Sequence, residues 1–260
     1  MIHPTAIIDP SARLGGGVAV GPYAVIGPHV TIGDGCAIGS HAAIESHVRM
    51  GRENRISPFA SIGAPPQDLK YRDEETWVEM GDGNTIREYV TVNRGTVGGG
   101  GVTRLGSGIL LMAYCHVAHD CRIGDKVVMA NGATLGGHIE IRHHAFIGGL
   151  VAVHQFVRIG EYAMIGGLSG VSQDIPPYVT AAVGRGTDGR DLHGLNLIGL
   201  KRNNFPEETI STLKDAYRIL FRSGIPMSQA LEKAAVEVAP LPEVLNLMEF
   251  IRSSKRGVHR

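Results

Sequence analysis

An aliphatic residue returns at every sixth position along most of this chain. The first series starts at Ile2 and ends at Ile62, a short one runs from Met80 to Val92, and a third runs from Leu105 to Val171. The next residue is often glycine. A period of six fits neither an amphipathic helix, with 3.6 residues per turn, nor an alternating strand, with a period of two. It predicts a short strand and a turn, repeated many times.

A repeat of this kind predicts a parallel β-helix, because one unit cannot bury its apolar face without a stacked neighbour. Three hexapeptides per coil would make a triangular prism, with coils stacked about 4.8 Å apart. We expect the aliphatic residue to point inward and the glycine to supply the unusual backbone angles of the turn. The spacing alone leaves the number of sides and the hand of the helix open.

Two segments break the repeat. We expect loops near residues 64–79, which hold the only tryptophan, and near residues 97–104, which contain a run of glycines. Irregular excursions from a regular scaffold often carry function. The glycine run lacks the Gly-Lys-Ser/Thr ending of a phosphate-binding loop.

The chain becomes helical in character beyond about residue 183. An apolar stripe lies between Pro206 and Gly224, Ser228 is expected to cap a second helix, and Pro242 to open a third. The sequence thus predicts a β-helix over residues 1–184 and a small helical domain over residues 185–260. That domain would also cover the open end of the solenoid.

Composition narrows the function. The formal net charge is zero and the pI is about 7.2, which argues against nucleic acid or an anionic membrane as the main partner. We find no signal peptide at the start and no apolar run long enough to span a bilayer. Cys36, Cys115 and Cys121 all fall on inward positions, so we expect buried thiols rather than disulfides.

Three histidines occur in hexapeptides that start one coil apart. His119, His138 and His154 belong to the units starting at residues 117, 135 and 153. On a three-sided prism these units share a face. If residues 98–104 form a loop, Asn93 joins the same column, and Gln155 lies beside its last member.

This column has the chemistry of a general base. An imidazole near neutral pH can take a proton from a hydroxyl that attacks an acyl carbonyl. Asp120 is placed to hold the tautomer of His119, but strand neighbours point to opposite faces, so that role needs a bulge or another subunit. Backbone N–H groups at Gly136 and Gly137 could bind the developing oxyanion.

Specific motifs resemble the UDP-N-acetylglucosamine acyltransferases of lipid A biosynthesis. They are IGAPPQDLKY (62–71), HVAHDC (116–121), LGGH (135–138), AVHQFVRIG (152–160), GVSQDIPPYV (170–179) and GLKR (199–202). The resemblance implies a left-handed parallel β-helix and a cytoplasmic homotrimer with active sites between subunits. It also implies transfer of an (R)-3-hydroxyacyl group from the phosphopantetheine thioester of acyl carrier protein to UDP-GlcNAc, without a further cofactor.

The resemblance also implies roles for individual residues. His119 is similar to the general base, with Asp120 as its support and Gly137 as the oxyanion donor. The remaining positions match substrate contacts, namely Asp68, Lys70, His116, His138, His154, Gln155, Asn196 and Arg202, and an acyl-chain groove at Met112 and Gly167. No metal is implied. A basic tail at Arg252, Lys255, Arg256 and Arg260 is a candidate dock for acyl carrier protein.

Three departures and one rival interpretation stay open. Asn93 stands where the common family pattern has histidine, while Ile198 and Asn203 replace an acidic residue and an arginine. An altered acceptor, such as a 3-amino analogue of UDP-GlcNAc, is therefore a hypothesis. The rival is a zinc site at His116, His138 and His143, as in the trimeric β-helix carbonic anhydrases.

Overall fold

The chain winds around a three-sided prism in a computed structural model that describes residues 1–184 and 190–260. Consecutive strands belong to three different sheets, and strands one coil apart pair in parallel. Ile26, Ile44 and Ile62 lie in successive coils of one sheet and are at most 1% exposed. The six-residue period therefore places its aliphatic residue in the core, as predicted.

Three sheets form the faces of the prism. The first contains Ile7–Ile8, Val25–Ile26, Ala43–Ile44, Ser61–Ala64, Thr91–Asn93, His116–Val117, Thr134–Leu135, Ala152–Val153 and Gly170–Val171. The second contains Arg13–Leu14, Thr31–Ile32, Val48–Met50, Trp77–Met80, Val102–Leu105, Arg122–Ile123, Glu140–Ile141 and Arg158–Ile159. The third contains Ala19–Val20, Ala37–Ile38, Arg55–Ile56, Thr85–Ile86, Leu110–Leu111, Val128–Met129, Phe146–Ile147, Met164–Ile165, Val179–Ala181 and Leu192–Leu195. We name the corners where these faces meet edge 1–2, edge 2–3 and edge 3–1.

The expected role of the repeat glycines is wrong in one respect. Gly27, like most glycines that follow the aliphatic residue, does not have a left-handed φ. A Cβ there would lie 1.5 Å from the carbonyl oxygen of Glu45 in the next coil, so glycine is needed for close stacking. The left-handed turn position comes two residues later and is mostly not glycine, as at Asp120 (φ 61°) and His138 (φ 61°).

The two predicted loops are shorter than the sequence indicated. Trp77–Met80 and Val102–Leu105 are paired strands of the second sheet, with Val78 opposite Thr103 and Met80 opposite Leu105. These four residues are buried, and that burial holds the ends of each excursion in the prism. The irregular parts are residues 65–76 and 94–101, the latter with a short 3₁₀ helix at Val97–Gly99.

Four helices follow among the described residues. They are α1 (Leu197–Arg202), α2 (Glu207–Arg222), α3 (Met227–Glu237) and α4 (Pro242–Arg252). The stripe on α2 and the start of α4 at Pro242 match the prediction, while α1 was not predicted. Ser228 is not a cap, since α3 begins at Met227 after Pro226.

The region predicted to be helical begins with a strand. Leu192–Leu195 pairs antiparallel with Val179–Ala181 of the third sheet. The predicted domain boundary lies between residues 184 and 185. Residues 185–189 are outside the described part of the chain, so this boundary stays a prediction. None of the described helices is long and apolar enough to cross a membrane.

The tail is anchored along the last coils of the second sheet. The ring of Phe250 in α4 lies under the guanidinium groups of Arg142 and Arg158, whose Cζ atoms are 5.1 and 4.6 Å from its centroid. Arg158 also bonds Asp174. These contacts bring the basic C-terminal segment after α4 to edge 1–2.

The three cysteines are buried and free, as predicted. Burial raises the pKa of Cys115 to about 11 and that of Cys121 to about 12. Both thiols therefore stay protonated at neutral pH and serve the packing of the interior.

Candidate active site

The catalytic candidates meet in the turn that follows the strand His116–Val117 at edge 1–2. Asp120 has a left-handed backbone and does not lie on a strand, so its carboxylate turns back toward the preceding side chain. His119 Nδ1 lies 2.8 Å from Asp120 Oδ2. The expectation that this pair needs a bulge or a second subunit is therefore wrong, because the turn itself brings the two groups together.

The tautomer of His119 follows from this contact. An ionised carboxylate only accepts hydrogen bonds, so Nδ1 of His119 carries the proton. Nε2 is then the basic nitrogen of the neutral ring. The side chain of Asp120 is fully buried and that of His119 is 16% exposed, so the ring alone has access to a substrate.

His138 lies one coil further along the same edge, at the turn position of Asp120. Its Nε2 is 3.7 Å from Asp120 Oδ2, and its ring meets that of His119 edge-on at 5.1 Å. On its other side the ring stacks on Phe156 at 4.5 Å, one coil later still. Phe156 was missed from the sequence, although its spacing of 18 residues from His138 was a visible signal.

Gly137 lies against the ring of His119. A Cβ at residue 137 would be 2.6 Å from Cε1 and 2.8 Å from Nε2 of that ring, so only glycine leaves the imidazole in place. Its backbone N–H makes no hydrogen bond to another described residue. A free N–H beside a basic nitrogen is the arrangement that an oxyanion requires.

Two clefts flank the stacked rings of His138 and Phe156. One, of about 420 Å³, lies under the loop at residues 65–76 and is lined by Asp68, Lys70, Tyr71, Glu74, Thr96, Val97, Gly98, His138 and Phe156. The other, of about 450 Å³, opens toward the second sheet and is lined by Gly99, Asp120, Arg122, His138, Ile139, Glu140, Phe156, Arg158, Lys255 and Arg256. The structure thus brings the predicted Asp68 and Lys70 to the histidines, together with part of the basic tail.

The other histidines of the predicted column have separate surroundings. His154 accepts a hydrogen bond from Arg256 through Nδ1 at 3.2 Å, and the adjacent Gln155 is exposed. His116 points outward from the first sheet and bonds the Thr91 hydroxyl at 2.7 Å. Burial and the nearby His119 hold the pKa of His116 below its usual value.

Asn93 does not belong to this group of histidines. It is 3% exposed and donates to the carbonyl oxygen of Pro65 at 3.0 Å, which fixes the base of the loop. The departure at Asn93 therefore acts on the loop backbone. Asn203 bonds the Gly199 carbonyl at 2.9 Å at the end of α1, and Ile198 is 68% exposed.

Four predicted residues lie at other edges of the prism. Asn196 caps α1 through Gly199 N–H and donates to the Tyr162 carbonyl oxygen at 2.8 Å, which places it at edge 2–3, and Arg202 ends the helix that starts there. Met112 and Gly167 follow strands of the third sheet and lie at edge 3–1. A Cβ on Gly167 would meet the Gly149 oxygen at 2.9 Å, so coil stacking also requires this glycine.

Within one chain, the described residues that could hold a metal differ from the rival zinc site. Ligand atoms of His119, Asp120 and His138 lie within 4.8 Å of one another. His143 accepts a hydrogen bond from Asp125 N–H at edge 2–3, while His138 lies at edge 1–2, so a single chain does not bring the ligands of the rival zinc site together. Asp120 already accepts hydrogen bonds through both oxygens, which favours an orienting role over metal binding.

Comparisons with known proteins agree with this geometry. Residues 174–259 match the family described as UDP-N-acetylglucosamine O-acyltransferase, domain 2, and residues 1–34 and 103–137 match the bacterial transferase hexapeptide family. The chain is 50% identical to the acyl-[acyl-carrier-protein]--UDP-N-acetylglucosamine O-acyltransferase of Herminiimonas arsenicoxydans, over 100% of this chain and 99% of that one.

Solved structures show the same fold. The UDP-N-acetylglucosamine acyltransferase of Bacteroides fragilis aligns with a TM-score of 0.95 at 43% identity, covering 100% of both chains. The Arabidopsis enzyme of the same description aligns with a TM-score of 0.84 at 32% identity, again over 100% of both chains. The predicted fold, a left-handed parallel β-helix followed by a small helical domain, is confirmed.

Proposed function

The chain belongs to the UDP-N-acetylglucosamine O-acyltransferases, and from this premise we propose how its residues act. The reaction moves an (R)-3-hydroxyacyl group from acyl carrier protein to the 3-position of UDP-GlcNAc, the first step of lipid A biosynthesis. The single observation that carries the mechanism is the 2.8 Å contact between His119 and the buried Asp120.

His119 is the general base. Its Nε2 takes the proton of the sugar 3-hydroxyl as that oxygen attacks the thioester carbonyl. The negative charge that develops on the carbonyl oxygen accepts a hydrogen bond from Gly137 N–H. The intermediate then collapses, the carbon–sulfur bond breaks, and the leaving thiolate takes the proton back from His119. Asp120 stabilises the imidazolium between these steps.

The sugar binds in the cleft under the loop. Asp68 and Lys70 from the loop and His138 from the prism line this cleft of about 420 Å³. His116, His154 and Gln155 do not line it, and we retain them as further substrate contacts. A carboxylate, an ammonium group and imidazoles suit a hydroxyl-rich ligand that carries a diphosphate.

A homotrimer completes the site. Within one chain the base, the nucleotide contacts Asn196 and Arg202, and the acyl-groove residues Met112 and Gly167 lie at three different edges. A threefold arrangement can bring different edges of neighbouring prisms together. The third sheet offers a suitable contact, because its outward row is apolar and half-buried at Leu110, Val128, Phe146 and Met164.

Acyl carrier protein approaches from the second cleft. Arg122, Arg158, Lys255 and Arg256 line it, and Arg122 and Lys255 are exposed. An acidic carrier and the phosphodiester of its prosthetic group are complementary to these cations. We therefore assign this cleft to the carrier-bound acyl thioester. The cytoplasmic location is a separate part of the proposal.

The hydroxyl acceptor is favoured over the 3-amino analogue. Of the three departures behind the amino hypothesis, Asn93 was the one expected at the sugar, and its buried amide holds the loop backbone and lines neither cleft.

Purified protein incubated with acyl carrier protein thioesters and UDP-GlcNAc, or its 3-amino analogue, tests the function by mass spectrometry. We expect O-acylated UDP-GlcNAc from the wild type. Activity should fall by at least about a thousandfold in His119→Ala with its assembly unchanged. Wild-type rates in that variant would refute the assignment of His119 as the base. A preference for the 3-amino analogue would refute UDP-GlcNAc as the acceptor.

A further inference from the structure

The carboxylate of Asp120 is held by one residue outside the repeat. Thr96 donates its backbone N–H to Oδ1 at 2.9 Å and its hydroxyl to Oδ2 at 2.7 Å. Oδ2 is also the oxygen that His119 bonds. Thr96 therefore holds both oxygens of the carboxylate that orients the imidazole.

Arg94, two residues earlier, holds the substrate loop. It is 7% exposed, and its guanidinium donates to Ser46 Oγ and to His47 Nδ1 on the prism, the latter at 3.2 Å. Its other terminal nitrogen donates to the Tyr71 hydroxyl at 2.9 Å. Tyr71 directly follows Lys70 in the loop and bonds the Glu74 carbonyl oxygen at 2.7 Å.

These contacts are possible because the turn at this coil is longer than the four-residue turn of the next coil. Residues 94–101 connect the strands Thr91–Asn93 and Val102–Leu105, whereas residues 118–121 make the turn at the same edge one coil later. The longer turn reaches forward to Asp120 in the next coil and back to Ser46 and His47 in the coils before it. It lies between the base and the loop.

We propose that the segment Asn93–Thr96 is a positioning element of the acyl transfer site. Thr96 orients Asp120 and through it His119, and Arg94 sets the position of Asp68 and Lys70. This inference rests on the proposed function. Its two ends act on different kinetic quantities, since the orientation of the base affects the chemical step and the loop affects binding of the sugar nucleotide.

Thr96→Val tests the first end, with Thr96→Ser as the conservative variant and Thr31→Val, at an exposed position of the second sheet, as the control. We expect kcat to fall by about ten- to a hundredfold in Thr96→Val, with KM for UDP-GlcNAc within about twofold, and to recover in Thr96→Ser. With one donor removed, the charge of Asp120 is less stabilised and attracts the protonated ring of His119 more strongly. The acid limb of the pH profile of kcat should therefore move to higher pH.

An NMR titration of the His119 ring in the free proteins measures the same shift without turnover. An unchanged titration in Thr96→Val, or a kcat equal to that of the wild type, overturns the role of Thr96. Absence of transfer by the wild type, with the shift present, refutes only the proposed function.

Tyr71→Phe and Arg94→Met test the second end, with Arg218→Met on α2 as the control. Both should raise KM for UDP-GlcNAc by about three- to tenfold with kcat within about threefold, and the double variant should be no worse than Arg94→Met. Calorimetry measures the Kd of UDP-GlcNAc without catalysis, and we expect the Kd to rise by the same factor as KM. Unchanged affinity in Tyr71→Phe, or additive losses in the double variant, overturns the role of Arg94.

Discussion

The imidazole of His119 occupies the space into which a side chain at Gly137 would project. The distances from an added Cβ would be 2.6 Å to Cε1 and 2.8 Å to Nε2 of the ring, well inside van der Waals contact. The backbone at Gly137 therefore limits where the ring of His119, one coil earlier, can lie. This contact joins two residues 18 positions apart, one coil of the prism.

Gly137→Ala should displace the base while the fold persists. Residue 137 does not have a left-handed φ, so alanine is free of backbone strain there and the added methyl acts on the ring. We expect kcat to fall by about a hundredfold, with KM for UDP-GlcNAc little changed. Gly16→Ala, where the nearest atom would be 3.6 Å away, is the control. Equal kcat values in the two variants would contradict the assignment.

Stability should fall on the acid side of neutrality because of His116. Burial, and then the charge of His119, lower its pKa in the folded state, so the unfolded chain takes up a proton at higher pH than the folded one. Stabilisation by neutral His116 is thus present above about pH 6.5 and is lost as the pH falls through the lowered pKa. The Tm should fall less between pH 7.5 and pH 5.5 in His116→Gln than in the wild type. His193→Gln, at an exposed histidine, should retain the wild-type difference.

Reversing charge in the second cleft should weaken use of the acyl donor alone. Lys255→Glu and Arg122→Glu place an anion beside the proposed path of acyl carrier protein, so KM for the carrier-bound thioester should rise about tenfold, less so at high salt. KM for UDP-GlcNAc should stay within about twofold. Arg218→Glu on α2 is the matched control, since this cation is exposed but remote from the cleft. An equal effect in all three variants would indicate a general charge effect rather than docking.

Activity should return when two inactive variants are mixed. If His119 of one subunit works with Arg202 of its neighbour, mixed trimers of His119→Ala and Arg202→Ala contain some intact sites. Random mixing makes about one interface in four intact. Purified variants are to be unfolded together, refolded and assayed, with each variant refolded alone as the reference. A mixture no more active than its components would place both residues in a single-chain site.

Much of the fold followed from the sequence because the repeat has a fixed length. Val117 and Leu135 had to lie in the same row once three sides were assumed, and they pair in that register. The hexapeptide at Val92 also joined this row, although 25 residues separate Val92 from Val117. Met80 and Leu105 lie on the six-residue spacing, but the residues before them, 77–79 and 102–104, were assigned to loops. Their strand structure is specified by pairing with each other.

The site was harder to predict, because its geometry depends on turns. The convergence of His119 and Asp120 required the left-handed backbone of Asp120, which its sequence position did not reveal. Thr96 escaped notice because it belongs to an insertion with no repeat to align it. Asn196 and Met112 were named through family resemblance, and a single chain separates them from the base by the width of a prism face.

The winding of the chain also limits how the protein can change in length. One residue added within a strand would turn each later inward side chain of that strand outward and shift the stacking of every following coil. One residue added at a corner can extend the turn outward, and the longer turn at residues 94–101 shows that a corner accommodates extra residues. Insertions and deletions compatible with activity should therefore occur at the corners or comprise an entire coil. Loss of the coil before Asp120 would remove Thr96, and loss of the coil after it would remove His138.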